Sequence, residues 1–225
     1  MRRACESTPA CNHHHLSSRV KPPPPLAIFG RSDVIGEPSV ELVRLLLTHG
    51  ADLQRDDAQE LWFTPLHNAV ANGAHALVAV MLESMPDAIN LTTGDGRAPL
   101  HVLSLCDDAD DRVATADVLL RPRGSNSGGS GGSNRTPRAL LNFHEPFYGN
   151  TPLHAHAKDG HSEVAIKLLE AGASHAELNE AGRTPLQEAM EELAALEAEG
   201  LAQTAMRRSR LANTISVMEI AVLAY

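Results

Sequence analysis

The chain has 225 residues, with 19 Lys and Arg against 28 Asp and Glu and a formal charge of −9, a balance that gives no positive field for a polyanion and excludes nucleic acid as the main partner. Aromatic residues make up only 3%, which suits thin stacked helices better than a sheet sandwich centred on large rings. The cysteines Cys5, Cys11 and Cys106 contain no C-x-x-C pair, so there is no disulfide framework and a reducing compartment is expected.

No run of about 18 apolar residues exists, which argues against a membrane-spanning helix. The opening MRRACESTPACNHHH lacks the apolar stretch of a secretory signal. A cytoplasmic location is expected, with the nucleus as the other option.

Residues 1–24 carry no hydrophobic periodicity, and the run Pro22 to Pro25 favours an extended polyproline II conformation. This segment is read as a disordered, Pro-rich tail. Cys5, Cys11 and His13 to His15 could supply metal ligands, but their spacing matches no familiar zinc pattern. From Pro38 to Gly50, Val40, Val43, Leu46 and Leu47 fall on one face of a short helix that Gly50 stops.

Downstream lies the piece around which the chain is built. Thr64 opens TPLHNAVANG, Ala98 opens APLHVLSLC, Thr151 opens TPLHAHAKDG and Thr184 opens TPLQEAMEEL. Two of the intervals share one period, 34 and 33 residues, and the interval of 53 between them is that period plus an insertion of about 20 residues. Thr64 suits a helix N-cap, Pro65 sits at the first helical position where its missing N–H costs nothing, and Leu66 points inward. From the third helical position the ring of His67 can bond back toward the threonine hydroxyl or a neighbouring turn. A second helix is expected over His75–Met85, stopped by Pro86, and Thr93-Gly94-Asp95-Gly96 reads as the tip of a short hairpin or loop.

The third unit departs from this pattern. Its first helix reaches Cys106, but the acidic run Asp107 to Asp111 replaces the expected glycine, and the second helix is expected over Arg112–Leu120. A flexible Gly/Ser insertion occupies about 122–137, and the hairpin 138–149 that follows contains Phe143, Phe147 and Tyr148. In the last unit Gln187 replaces the histidine, a first helix runs to about Glu199, and a long second helix is expected from Leu201 to Ala224.

These residues carry a resemblance. TPLHNAVANG and TPLHAHAKDGHSEVAIKLLEAGAS resemble the ankyrin-repeat family, whose signature T-P-L-H-x-A is matched by Thr64 to Ala69. The resemblance implies an all-α repeat solenoid of stacked helix-turn-helix units with short β-hairpin loops. It covers 25–225, with an N-terminal cap at about 25–60, whose first helix would be Leu26 to Asp33. Repeats follow at 64–97, 98–150 and 151–183, with a C-terminal repeat at 184–225.

The same resemblance implies a non-catalytic scaffold or adaptor, expected to be monomeric, that binds another protein through its concave face and hairpin tips. By position in the motif, the outward-facing residues would be Trp62, Phe63, Ala71, Asn72, Asp95, Arg97, Phe147, Tyr148, Asn150, Lys158 and Asp159. Five of the seven aromatic residues, Trp62, Phe63, Phe143, Phe147 and Tyr148, sit just before a motif. They could anchor a partner, or they could stay inside the hairpins and cover the helix tops, a reading that weighs most for Trp62 and Phe143. A regulatory subunit or non-catalytic fragment of an enzyme is the alternative function.

Chemistry is sparse. His67, His101 and His154 lie on separate repeats, about 10 Å apart in a stacked array, too far for one ion, and a structural role is expected for each. The run Asp107 to Asp111 lacks the spacing of a calcium loop, which leaves a solvated turn or a docking surface for a basic partner. No metalloprotease, nucleophile-elbow or phosphate-loop motif is present. No cofactor, metal site or catalytic residue is expected.

Overall fold

The computed structural model describes residues 40–51, 63–121, 140–199 and 204–224. The tail, the expected helix at 26–33, Trp62 and the Gly/Ser insertion lie outside these residues.

The described helices are α1 (Val40–Thr48), α2 (Pro65–Ala71), α3 (His75–Ser84), α4 (Pro99–Val102), α5 (Ala109–Leu120), α6 (Pro152–Asp159), α7 (Ser162–Glu170), α8 (Pro185–Glu199) and α9 (Ala205–Ala224). They sort into two rows. Along one, α2, α4, α6 and α8 pack each against the next, and along the other α1, α3, α5, α7 and α9 do the same. The first helix turns back onto the second as α2 on α3, α6 on α7 and α8 on α9, while in the third unit the 3-10 turn that follows α4 meets α5.

The repeated leucine shows why the rows form. Leu66, Leu100 and Leu153 are buried, each contributing roughly 1.5–3 kcal/mol of apolar burial. Leu186, at the same motif position in the last unit, is only half-buried, because among the described residues no further first helix covers it. On α1, Val43 is buried against α3 while Leu42 and Leu45 are exposed.

Two expectations are corrected. The loops between repeats are turns rather than β-hairpins: no strand occurs among the described residues. Each loop closes on a pair of backbone hydrogen bonds, such as Thr93 N–H to the Arg97 carbonyl at 2.9 Å and Gly96 N–H to the Thr93 carbonyl at 2.8 Å, too few residues for a ladder. The second helix of the third unit starts at Ala109, three residues before Arg112, because Asp108 caps it. The Asp108 carboxylate accepts the Asp110 and Asp111 N–H groups at 2.9 and 3.0 Å.

The acidic run is therefore a helix start, and a buried cation holds it in place. Arg112, only 4% exposed, donates from Nε and Nη2 to the Cys106 carbonyl at 2.9 and 2.6 Å, and from Nη2 to the Asp107 carbonyl at 3.1 Å. These carbonyls end the 3-10 turn Leu103–Leu105 that follows α4, so the guanidinium satisfies acceptors that no backbone donor reaches.

Candidate functional site

The motif histidine fixes the geometry from which the site is built. His67 Nε2 lies 3.0 Å from the Leu91 carbonyl. A carbonyl only accepts, so this nitrogen carries the proton. Burial pushes the ring's pKa down to about 4, leaving it neutral with a bare Nδ1. That nitrogen accepts the Thr64 hydroxyl at 2.8 Å and the Thr64 N–H at 3.4 Å. His154 repeats the arrangement, with Thr151 Oγ1 at 2.8 Å on Nδ1 and the Arg183 carbonyl at 3.0 Å from Nε2.

Each ring thus caps its own helix and bonds the loop that leads to the next repeat. Gln187 keeps only the first half of this role: its Oε1 accepts the Thr184 N–H at 2.9 Å, which suits the final motif. In the third unit Ala98 has no hydroxyl, and His101 Nδ1 is buried without a partner, although Nε2 donates to the Asn150 carbonyl at 2.9 Å.

A second histidine pair is buried where α6 meets α7. His156 Nε2 donates to the Leu100 carbonyl at 3.1 Å, and His156 Nδ1 lies 3.2 Å from His161 Nδ1. Burial pushes both pKa values down to about 3, so both rings are neutral packing elements. Among the described residues no cluster of three metal-ligating side chains occurs.

The third loop is built differently from its neighbours. Thr93 and Asn179 each bond a residue four positions on, Arg97 and Arg183, whereas Glu145 N–H bonds the Asn150 carbonyl five positions on, all at 2.9–3.0 Å. The extra residue lifts Phe147 and Tyr148 outward, and they are 61% and 64% exposed. The loop beneath them is pinned on both sides. Leu140 N–H donates to Asn90 Oδ1 at 3.1 Å, the Ser174 N–H to Asn142 Oδ1 at 2.9 Å, and the Glu180 N–H to the Tyr148 carbonyl at 2.9 Å. Below the tip, Arg97 bridges Asp95 at 3.2 Å and Glu145 at 3.8 Å. Burial pushes the Glu145 carboxyl up, with Arg97 pulling against it.

Beside this tip is a cleft of about 480 Å³ lined by Tyr148, Asn150, Lys158, Asn179, Glu180, Ala181, Arg183 and Glu188. Glu188 organises its floor. Its carboxylate receives Lys158 Nζ at 3.2 Å, Arg183 Nη1 at 3.1 Å and Asn179 Nδ2 at 3.3 Å. Burial alone would raise its pKa, but these donors outweigh it and hold the carboxyl below the usual range. Asn179 also donates to Asn150 Oδ1 at 3.0 Å, tying the two loops together.

Of the residues expected from the motif, Tyr148, Asn150 and Lys158 meet in this cleft, with Phe147 adjacent to Tyr148 in the chain. Asp95 and Arg97 reach the same loop only through Glu145. Asp159 points elsewhere, bonding Ser104 and facing Arg207 at 3.9 Å. Asn72 closes its own helix on the Asn68 carbonyl at 2.7 Å, and Ala71 packs half-buried on the core. Phe63 is a correction: it is 7% exposed, its ring 5.9 Å from that of His67, because it covers the top of α2 instead of facing outward. Phe143 likewise lies edge-on to His101, ring centres 6.1 Å apart.

Asn179, Glu180, Arg183 and Glu188 were not expected in the site. One signal did exist for Glu188. The position after the motif's fourth residue holds Asn68, Val102 and Ala155 in the other units, so a carboxylate there breaks the pattern.

Helix pairs in two rows, started by one capping device and joined by projecting turns, define an all-α repeat protein. The ankyrin repeat family model matches residues 148–180, so the segment from Tyr148 through α6 and α7 to the Glu180 turn is an ankyrin repeat, and the chain's resemblance to that family is shown there. A comparison with curated proteins finds no match. The ankyrin repeat is a general protein–protein interaction module and is typically non-catalytic. No helix among the described residues is long and apolar enough to cross a membrane.

Proposed function

We propose that the chain is a non-catalytic protein-binding module, an ankyrin-type solenoid that holds another protein on the face made by its loop tips and first helices. The observation that carries this reading is the exposure of Phe147 and Tyr148 on a loop tied to both neighbouring repeats. The loop backbone that carries these rings is already braced, so little backbone entropy is lost when a partner covers them. Tyr148, Asn150 and Lys158 form the near wall of the interface, and Asp95 and Arg97 extend it toward the preceding repeat. The protein acts as a monomeric adaptor in the cytoplasm or nucleus.

The test is affinity capture from the source cell with the wild-type chain and with Phe147→Ala/Tyr148→Ala. Truncating two anchor rings is expected to weaken capture by about tenfold or more, with helicity and melting temperature unchanged. Undiminished capture by the double variant would contradict the reading.

A further inference from the structure

The charges in the cleft are not equivalent. Lys158 is bound by Glu188, and Arg183 by both Glu188 and Glu191, at 3.2, 3.1 and 2.8 Å. Both cations are therefore occupied. Glu180 is exposed on the same wall, and no ion pair engages it among the described residues. Tyr148, 64% exposed, lines the same space.

Lys158 and Arg183 keep N–H donors to spare, but Glu180, Glu188 and Glu191 already outnumber them, so an anionic side chain entering here would add a fourth carboxylate around two cations. A cationic side chain meets no such obstacle. It finds a free carboxylate and an aromatic face, the pair of groups that attracts ammonium and guanidinium ions, on a chain whose formal charge is −9.

The geometry points to a partner protein segment that places an arginine or lysine side chain in the cleft between Tyr148 and Glu180 and an apolar neighbour on Phe147. This rests on the binding function proposed above and adds the chemistry of the partner. An exposed ion pair adds little by itself, so the apolar contact on Phe147 supplies affinity while the cation sets register and selectivity.

The experiment selects peptides from a random phage-displayed library on the full chain and measures synthetic versions by fluorescence anisotropy. Selected peptides are expected to carry Arg or Lys next to a large apolar residue. Glu180→Gln should weaken them by about threefold and Glu180→Lys by about tenfold. Glu170→Lys, the same change of net charge at the end of α7, should leave binding unchanged. Acidic or uncharged peptides that need Phe147 and Tyr148 but ignore Glu180 would overturn this inference while leaving the binding function intact. Basic peptides weakened equally by Glu170→Lys would overturn it too, as binding to net charge. If no selected peptide loses affinity for Phe147→Ala/Tyr148→Ala, both readings fail.

Discussion

His101 donates its Nε2–H to the carbonyl of Asn150 at 2.9 Å, a bond between residues 49 positions apart in the chain. His154 makes the equivalent bond to Arg183, the residue just before the next motif, only 29 positions away, while His67 bonds Leu91, 24 positions away and earlier in its loop. The insertion within the third unit has thus been accommodated without breaking the bond from its motif histidine to the residue that precedes the next motif.

The unpartnered Nδ1 of His101 leads to a stabilising substitution. Thr64, Ala98 and Thr151 share one backbone conformation, φ/ψ of −75/164, −76/161 and −83/166, so a threonine at 98 would aim its hydroxyl at that nitrogen. Ala98→Thr is expected to stabilise the array by about 1 kcal/mol, a rise in melting temperature of roughly 2–4 °C. Thr151→Ala is expected to do the reverse. Thermal and urea unfolding of the two variants would check this, and a destabilised Ala98→Thr would show that the repeats differ at this contact.

The buried histidines make stability depend on pH in a defined direction. Burial lowers His67 and His101 to about 4 and His156 and His161 to about 3, and it also lowers His154. Below the ordinary value of 6.5 the unfolded chain takes up protons that the folded one refuses. Their contribution is therefore complete above pH 6.5 and is lost as pH falls toward 4 for His67 and His101 and toward 3 for His156 and His161. Each histidine accounts for at most about 1.4 kcal/mol per pH unit. Glu145 and Asp159, whose carboxyls burial raises, act in the opposite sense but are fewer. Urea unfolding is expected to give a stability at pH 5 at least about 2 kcal/mol below that at pH 7. Equal stability at the two values would mean that these rings are hydrated in solution.

Two glycines separate backbone strain from repeat packing. Gly96 and Gly182 both have positive φ, +82° and +71°, but a Cβ on Gly96 would lie 2.4 and 2.5 Å from Pro146 Cγ and Cδ, whereas one on Gly182 meets nothing within 4 Å. Gly182→Ala is expected to cost about 1 kcal/mol through the left-handed conformation alone. Gly96→Ala should cost more than about 2 kcal/mol, since the neighbouring loop must also move. Because that loop carries Phe147 and Tyr148, Gly96→Ala is further expected to weaken partner capture. Equal costs for the two would indicate that the loops give way freely.

The chain itself determined the repeat and its reasons. Thr64-Pro65-Leu66-His67 and its returns encode a cap, a helix start, a buried leucine and a ring that bonds back, all interactions within a few residues of one another, and period alone places them. The second helices were readable for the same reason, wherever apolar spacing and a breaker coincided, as at His75 and Pro86. What only the tertiary structure decided depends on which residue comes to lie beside which. Phe63 and Phe147 both precede a motif, yet one covers a helix and the other stands free, because the third loop holds an extra residue and is braced from both sides. Arg112 became a buried cap through carbonyls left open by a lengthened turn. The cleft arises where Lys158, Asn179 and Arg183 of one repeat converge on the carboxylate of Glu188 from the next. Spacing along the chain can name such residues one by one, but their shared charge exists only once neighbouring repeats are stacked.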